Sequence, residues 1–483
     1  MIIFNIFISI LFLIKNTKNN HNKIKVNKEK INSDNDSNSE ELCFVFEYSR
    51  HGTRSPSANT FDNKTGKYLD YFNFTWDGRG ELTPVGMRQH YILGIRNRLK
   101  YANFLDFSHF NHLEILVAST LLNRTIESAY SQLLGMFPPG TGPQITKDQI
   151  NLSYPPNNLN KEVINEVNEL NFNALKNQSN IFPVYFYDSD YLFLNEKYCT
   201  NYNKIQLEAY KKAKVFEYID EFKNKYQEKI NEFLNSNNIK YDFTFVFRFT
   251  DNFLVNIGNG IDMQNFYNIV KVSKETFREE CIKFKKLVLY DFYDTDPSMI
   301  YYYSSRFFRI LLSYMENRKN NYDIKSYSIP KMVIYIGQDA TMNIIEFCMH
   351  KIFNIKYGMP DFGSNIYFEL YKNKFNFNVK YYIDDVITLN IDYETFKENI
   401  ERNLKSDDDI NEFCGNKIEK NDDDNNNKNK DKIIILLCVI IFILILALII
   451  FIFKYKKLKK NFSYLDINKS VKKTSLLYEY KNK

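Results

Sequence analysis

Before Lys454 the sequence lacks a net excess of positive charge. The chain of 483 residues carries a formal charge of +6. The stretch from Lys454 to the end holds ten lysines, no arginine and two acids, so it accounts for +8 and leaves −2 for all the residues before it. A nucleic-acid-binding surface needs clustered basic residues on the folded part of a protein. The charge distribution therefore excludes nucleic acid as the main partner.

Cysteine is scarce, and its spacing fits neither a metal site nor a redox site. Of the six cysteines, Cys438 lies in a long apolar run. The other five, an odd number, include no CxxC pair, and no HExxH motif is present. At least one thiol should therefore stay unpaired, and the sequence predicts no bound metal.

Long hydrophobic runs are few, and two of them indicate a compartment. Met1 to Ile14 is too short to span a bilayer and is typical of a secretory signal. Ile433 to Phe453 has no charged residue and is long enough for a membrane-spanning helix. The basic segment Lys454 to Lys460 follows it at once and favours the cytoplasmic side. We therefore expect a type I single-pass protein whose main part faces the lumen or the outside.

These runs and the polar stretches between them suggest a division of the chain into segments. The predicted segments are a signal peptide (1–16), a disordered leader (17–40), a folded domain (41–415), a stalk (416–432), a transmembrane helix (433–453) and a basic tail (454–483).

Within the folded segment, three short apolar runs are each followed by a helical pattern. The runs are Leu42 to Ser49, Leu113 to Thr120 and Met332 to Asp339. Buried strands that alternate with helices predict an α/β fold with a mixed, mostly parallel sheet flanked by helices. Residues 149–320 carry long charged and aromatic helical patterns, which we interpret as a helical cap inserted above the sheet.

Ionisable and amide side chains follow all three predicted strands. Arg50, His51 and Arg54 follow the first, Arg124 begins the helix after the second, and Gln338 with Asp339 ends the third. Ligands of open α/β sheets bind at the carboxyl ends of the strands. Guanidinium groups match the oxygens of a phosphate, a neutral imidazole can attack phosphorus, and a carboxylic acid can protonate a leaving oxygen.

The segment "RHGTRSP" resembles the RHGxRxP signature of the histidine acid phosphatases, the branch of the histidine phosphatase superfamily that includes lysosomal and prostatic acid phosphatases and phytases. The resemblance continues in "GELTPVGMRQHYILG", "STLLNRTIESAYSQLLGMFPPG" and "VIYIGQDATM". It is weakest through the helical middle of the chain, where residues that distinguish substrates would lie. It implies a phosphomonoesterase that needs no cofactor, but it does not identify the substrate.

The resemblance also implies roles for individual residues. His51 would be the nucleophile that becomes phosphorylated, and Asp339 would be the acid that protonates the departing alcohol, which predicts an acidic pH optimum. Arg50, Arg54 and Arg124 would clamp the phosphate. His90 falls inside the family's second motif, but its place on an amphipathic helix favours a structural role.

Gln338 departs from the family pattern, which has histidine before the aspartate. A glutamine donates a hydrogen bond to phosphate but carries no charge. Replacing a charged donor with this neutral one should cost on the order of 1 to 2 kcal/mol of transition-state binding, so we expect a weakened enzyme. The alternative is a pseudophosphatase, a receptor-like ectodomain that binds a phosphorylated ligand without turnover.

Several further expectations concern modification, sorting and assembly. The resemblance implies a disulfide between Cys199 and Cys414, whereas Cys43 should be a small buried residue. Sequons at Asn63, Asn73, Asn151 and Asn177 are glycan acceptors in a lumenal domain, and Asn123, beside Arg124, should stay bare. Tyr464 to Ile467 resembles a sorting signal for an adaptor. Lysosome or cell surface, and monomer or homodimer, stay open.

Overall fold

In the computed structural model of the chain, a mixed sheet lies among helices. The structure describes residues 40–57, 61–62, 67–68, 76, 78–156, 158–237, 239–322 and 329–416. The strands are β1 (Glu41–Arg50), β2 (Phe61–Asp62), β3 (Lys67–Tyr68), β4 (Ile115–Ser119), β5 (Tyr185–Phe186), β6 (Met332–Gly337), β7 (Asn365–Lys372), β8 (Phe377–Ile383) and β9 (Val386–Asp392).

The helices occupy most of the remaining described chain. The α-helices are α1 (Pro84–Lys100), α2 (Asn123–Met136), α3 (Lys161–Asn168), α4 (Ser189–Leu192), α5 (Tyr202–Lys212), α6 (Val215–Leu234), α7 (Phe243–Gly258), α8 (Gln264–Val270), α9 (Lys274–Lys286), α10 (Phe292–Asp294), α11 (Met299–Asn320), α12 (Asp339–Phe353), α13 (Tyr393–Asn403) and α14 (Asp407–Cys414). A π-helix, Leu287–Asp291, lies between α9 and α10. Short 3₁₀ turns lie at Lys147–Gln149, Asn151–Ser153 and Lys176–Gln178.

The three strands predicted from the sequence lie side by side and run in the same direction. Every residue of β6 is buried, as expected for a parallel strand that is covered on both faces. Arg50 of β1 pairs with Gly337 of β6, and Ser119 of β4 pairs with Ile336. The three strands therefore end together at one edge of the sheet.

The other half of the sheet is antiparallel, which differs from the prediction of a mostly parallel sheet. The strand order is β5-β4-β6-β1-β7-β8-β9, with three parallel pairings followed by three antiparallel ones. Short loops cause the reversals between β7, β8 and β9, because a hairpin needs only two loop residues whereas a parallel pairing needs a long crossover. Asp384 and Asp385, both with positive φ, form such a loop between β8 and β9.

The helical middle of the chain packs its aromatic side chains against the sheet. Among the described residues from Ser189 to Tyr322, the regular elements are all helices. Phe253 and Phe277 stack edge to face at 4.6 Å, and the buried cluster that contains them extends to Phe46 of β1. The core of the helical middle is therefore continuous with the core of the sheet.

A disulfide joins Cys199 to Cys414, the pair that the resemblance implies. Their Cα atoms lie 4.6 Å apart, and 215 positions separate them in sequence. Closing a loop of that length in the unfolded chain contributes about 5 kcal/mol in the chain-entropy model. Cys43, Cys281 and Cys348 are buried free thiols, as expected for Cys43.

Many of the segments predicted from the sequence lie outside the described residues. These are the signal peptide, the leader before Glu40, the stalk after Asn416, the membrane span, the basic tail with Tyr464 to Ile467, and the sequons at Asn63 and Asn73. Asn151 and Asn177 are exposed. In the described part, none of the helices combines the length and apolarity that crossing a bilayer requires.

Candidate active site

The loops that follow β1, β4 and β6 are joined by backbone hydrogen bonds where the strands end. The amide of His51 donates to the carbonyl oxygen of Gly337 at 2.9 Å. The amide of Thr120 donates to the carbonyl oxygen of Ile336 at 3.2 Å. The residues after all three strands are therefore held against one another.

His51 is buried and neutral. Its Nδ1 lies 2.7 Å from the carbonyl oxygen of Gly52, which can only accept, so Nδ1 carries the proton and Nε2 keeps its lone pair. Burial lowers the pKa of His51 well below its ordinary value, and the charges of Arg50, Arg124 and Arg54 lower it further. The neutral ring therefore presents the Nε2 lone pair, the form of imidazole that can attack phosphorus.

Close packing against α1 and α2 positions the loop that carries His51. A Cβ on Gly52 would lie 2.4 Å from the carbonyl oxygen of Gly86, so only glycine fits where α1 crosses the loop. The amide of Gly52 donates to Ser128 Oγ at 3.1 Å. His90 is buried on α1 and donates from Nε2 to the carbonyl oxygen of Arg50 at 3.0 Å. The contacts of His90 are thus structural, as its place on the helix indicates.

Arg50 lies at the centre of the site. One Nη donates to the carbonyl oxygen of Pro360 at 2.8 Å, the other lies 2.9 Å from Asp339 Oδ2, and the guanidinium stacks on Phe362 with 3.9 Å to the ring centroid. Its Nε is buried and has no hydrogen-bond partner among the described residues. An unpartnered buried donor in a cationic cluster is suited to an anionic ligand.

Arg54 and Arg124 complete the set of guanidinium groups. Arg54 lies 2.8 Å from Asp251 Oδ2, and Arg124 donates to the carbonyl oxygen of Gly80 at 3.3 Å. Burial and the charge of Arg54 lower the pKa of Arg124 to about 10, so it stays charged under physiological conditions. The Nε of Arg124 is a second buried donor without a partner in the described part of the chain.

Asp339 is the first residue of α12 and accepts hydrogen bonds on both oxygens. Oδ1 accepts from the amide of Ala340 at 2.9 Å, and Oδ2 lies 2.9 Å from Arg50 and 3.3 Å from Lys285. Burial alone would raise the pKa of Asp339, but Arg50, Lys285 and the neighbouring cations outweigh it and hold the pKa below its ordinary value. The carboxyl group is therefore ionised in the free protein.

Gln338 lies beside the same cluster, at the N-cap of α12. Its Nε2 donates to Thr120 Oγ1 at 3.0 Å, so the amide is tied to the loop after β4. The structure thus brings all six sequence-predicted side chains to one edge of the sheet. Asp339 contacts Arg50 directly, and His51 interacts electrostatically with all three arginines.

Sequence reasoning missed two charged residues of the site, Asp251 on α7 and Lys285 on α9. Both are buried, and they lie 3.1 Å apart. Asp251 left a signal, because it is the one acid in the stretch "FVFRFTDNFLV", in which seven of the eleven residues are apolar. Lys285 left no signal in the sequence, because it stands among other lysines. Its neighbours Lys283 and Lys286 are exposed, and the sequence does not distinguish the buried lysine from them.

A protein-family model covers most of the described part of the chain. A family model described as histidine phosphatase superfamily (branch 2) matches residues 41–384. The chain belongs to this family. The matched range includes the six side chains that meet at the edge of the sheet, from Arg50 to Asp339.

Curated relatives match a shorter stretch. Lysosomal acid phosphatase of Xenopus laevis is 42% identical over 113 residues, which are 23% of this chain and 24% of the relative. Prostatic acid phosphatase of Bos taurus is 43% identical over 100 residues, 20% of this chain and 24% of the relative. Human lysosomal acid phosphatase is 41% identical over 99 residues, which are 20% of this chain and 22% of the relative. The alignments thus span about a quarter of the length of these relatives.

Among solved structures, the chain is similar to the apo form of Hafnia alvei phytase. The TM-score is 0.47 at 12% identity, and the match covers 76% of this chain and 97% of that one. For the apo form of Bifidobacterium longum multiple inositol polyphosphate phosphatase the TM-score is 0.46 at 12% identity, with 74% and 89% covered.

Proposed function

We propose that the protein hydrolyses phosphoric monoesters through a phosphohistidine formed on His51. The observation that carries this proposal is the contact of His51 Nδ1 with the carbonyl oxygen of Gly52, at 2.7 Å. It fixes the tautomer whose Nε2 can attack phosphorus, within a cluster of three arginines. Family membership and the names of the curated relatives, which are acid phosphatases, support the same reaction.

Substrate binding is assigned to the arginines. The phosphate would accept hydrogen bonds from Arg50, Arg54 and Arg124, including the buried Nε donors of Arg50 and Arg124. These guanidinium groups also neutralise the charge that develops on the equatorial oxygens during transfer.

The reaction balances in two steps. His51 Nε2 forms a bond to phosphorus while the bond from phosphorus to the ester oxygen breaks, and Asp339 gives its proton to the departing alcohol. Water then attacks phosphorus, the bond from phosphorus to His51 Nε2 breaks, and the water gives a proton to the Asp339 carboxylate. Phosphate leaves, and both side chains return to their starting forms.

The proposed role of Asp339 requires a proton that the free protein does not hold at neutral pH. Arg50 and Lys285 keep the pKa of Asp339 low. A bound phosphate brings negative charge beside the carboxylate and competes for Arg50, which raises that pKa. The acid form is lost as pH rises through this raised value, so kcat should fall from acidic towards neutral pH. A rate that rises steadily from pH 5 to pH 8 would contradict the assignment.

Gln338 favours a second candidate function, binding of a phosphorylated ligand without turnover. Its amide is engaged with Thr120 at 3.0 Å and carries no charge, whereas the family pattern has histidine at this position. In this candidate the arginines hold phosphate, but the transition state is not stabilised enough for hydrolysis.

We further infer a membrane-anchored location with the site facing the lumen or the outside. The apolar runs Met1 to Ile14 and Ile433 to Phe453 support a signal and an anchor. Relatives named lysosomal acid phosphatase favour an acidic vesicle over the cell surface. Expression of the tagged full chain, with carbonate extraction and fractionation, tests this; release of the protein by carbonate would contradict the anchor.

An aryl phosphate assay of the full-length protein between pH 4 and pH 8 tests the proposed function. His51→Ala should lose at least about 1000-fold in kcat because the nucleophile is gone. His109→Ala is the matched control, since the His109 side chain is 64% exposed. Turnover that survives His51→Ala would reject the phosphohistidine route, and phosphate binding without turnover would establish the second candidate.

A further inference from the structure

Lys285 is a buried cation held between two carboxylates. Its Nζ lies 3.1 Å from Asp251 Oδ1 and 3.3 Å from Asp339 Oδ2, and the residue is 5% exposed. Lysine is almost never buried unless it is paired. Lys285 lies in the last turn of α9, and the π-helix Leu287–Asp291 follows α9 at once; such an irregularity occurs often at functional sites.

Each of these two carboxylates also contacts one arginine of the phosphate clamp. Asp251 lies 2.8 Å from Arg54, and Asp339 lies 2.9 Å from Arg50. The resulting network runs Arg54, Asp251, Lys285, Asp339, Arg50, with three cations and two anions. It therefore carries one surplus positive charge, which Lys285 contributes; without it, each arginine would be neutralised by its own carboxylate.

We propose that Lys285 is a positioning residue of the phosphate site and supplies the positive charge that Gln338 lacks. The inference rests on the phosphate-binding role proposed above. Lys285 acts through Asp251 and Asp339: by sharing both carboxylates, it leaves the charges of the two arginines available to the substrate phosphate. The site thus keeps the positive charge that a histidine at position 338 would carry. Here Lys285 supplies it from the helical middle of the chain, more than fifty positions before Asp339.

This role predicts a change in phosphate affinity that a purely structural lysine would not cause. Inorganic phosphate is titrated calorimetrically into the full-length protein and its variants at pH 5. For Lys285→Met the dissociation constant should rise about tenfold, because one unit charge is removed from a buried site. Lys285→Arg keeps the charge and should stay within about threefold of the wild type. Lys286→Met, which removes an exposed neighbour, is the matched control.

A double variant separates the charge from the fold. Asp251→Asn with Lys285→Met removes one anion and one cation, which leaves the surplus charge at its wild-type value and avoids an excess buried carboxylate. We expect its phosphate affinity to return to within about threefold of the wild type. If Lys285→Met does not fold, the double variant still tests the proposal, because an affinity about tenfold below wild type would overturn it.

The pH profile gives a second readout. The groups that face Asp339 are Arg50, His51, Arg54, Arg124, Asp251, Lys285, Tyr48 and Tyr290. Removing Lys285 removes one cation that keeps Asp339 ionised, so in the substrate complex the alkaline limb of kcat should move to higher pH.

Unchanged phosphate affinity and an unchanged profile in Lys285→Met would overturn the inference. Phosphate binding is measured without turnover, so the inference and the proposed phosphatase activity fail separately.

Discussion

The two halves of the candidate site are positioned in different ways. The strand-end half contains Arg50, His51 and Arg54, and hydrogen bonds of the backbone amides hold it in place. The amide of His51 donates to the carbonyl oxygen of Gly337, and the amide of Gly52 donates to Ser128 Oγ. In the helical half, Asp251 and Lys285 reach the site through side-chain ion pairs alone. In the proposed mechanism, the first half holds the reacting atoms and the second adjusts the charge around them.

This difference predicts two kinds of consequence for substitutions. In the strand-end half, a change at His51 should remove chemistry and leave the fold intact, because the backbone hydrogen bond of its amide does not depend on the side chain. Changes in the helical half should alter stability and phosphate affinity, because buried charges lose their partners.

The largest effect expected after loss of His51 itself is that of Asp339→Asn. The variant cannot give a proton to the leaving alcohol, so an alkyl phosphate should lose about 100- to 1000-fold in kcat. An aryl phosphate, whose leaving oxygen needs no proton, should lose much less. Steady-state rates on the two substrates at pH 5 check this; equal losses would contradict the role of Asp339 as the acid.

Asp251→Asn should cost stability while phosphate still binds. Arg54 and Lys285 lose their shared carboxylate, so the free energy of unfolding should fall by about 3 kcal/mol at pH 7. Burial would raise the pKa of Asp251, but Arg54 and Lys285 hold it below its ordinary value. The contribution of Asp251 to stability is therefore fully present above about pH 4, the pKa of an aspartate in the unfolded chain. It is lost as pH falls from there towards the lower pKa of the folded protein.

Urea unfolding at pH 7 and pH 3 measures this contribution. Asp220→Asn, on an exposed face of α6, is the matched control. The difference between Asp251→Asn and the wild type should narrow at the lower pH. Full stability together with abolished phosphate binding would break the comparison between the two halves.

The smallest expected effect is a gain in kcat/KM for the variant Gln338→His. A protonated histidine adds a charged donor beside the phosphate, so kcat/KM at pH 5 should rise about tenfold. Gln338→Glu, which adds the opposite charge at nearly the same size, should fall below the wild type. A loss in Gln338→His would mean that the bond from Gln338 to Thr120 matters more than the missing charge.

Much of the strand-end half could be predicted because its residues are close in sequence. Arg50, His51 and Arg54 lie within five positions, directly after an apolar run, and a parallel sheet brings the ends of such runs together. Arg124 and Asp339 follow the two neighbouring strands in the same way. A local pattern was therefore enough to name these residues, although their roles stay proposals.

The helical half of the site and the antiparallel strands were harder to predict from the sequence, for two different reasons. Asp251 and Lys285 lie 197 and 54 positions from the partners Arg54 and Asp339, and no pattern on one helix reports a pairing at that distance. Strands β7 to β9 are rich in tyrosine, isoleucine and valine and end in turn residues, so their signal was present but was not used.

The most direct test of the account is to trap the covalent intermediate. Full-length protein is mixed with a 32P-labelled monoester, quenched in alkali within milliseconds and mapped by mass spectrometry. The account predicts one phosphorylated residue, His51, modified at Nε2, with a label that is stable in alkali, lost in acid and absent from His51→Ala. Continued turnover with no label on His51, or a label on another residue, would contradict it.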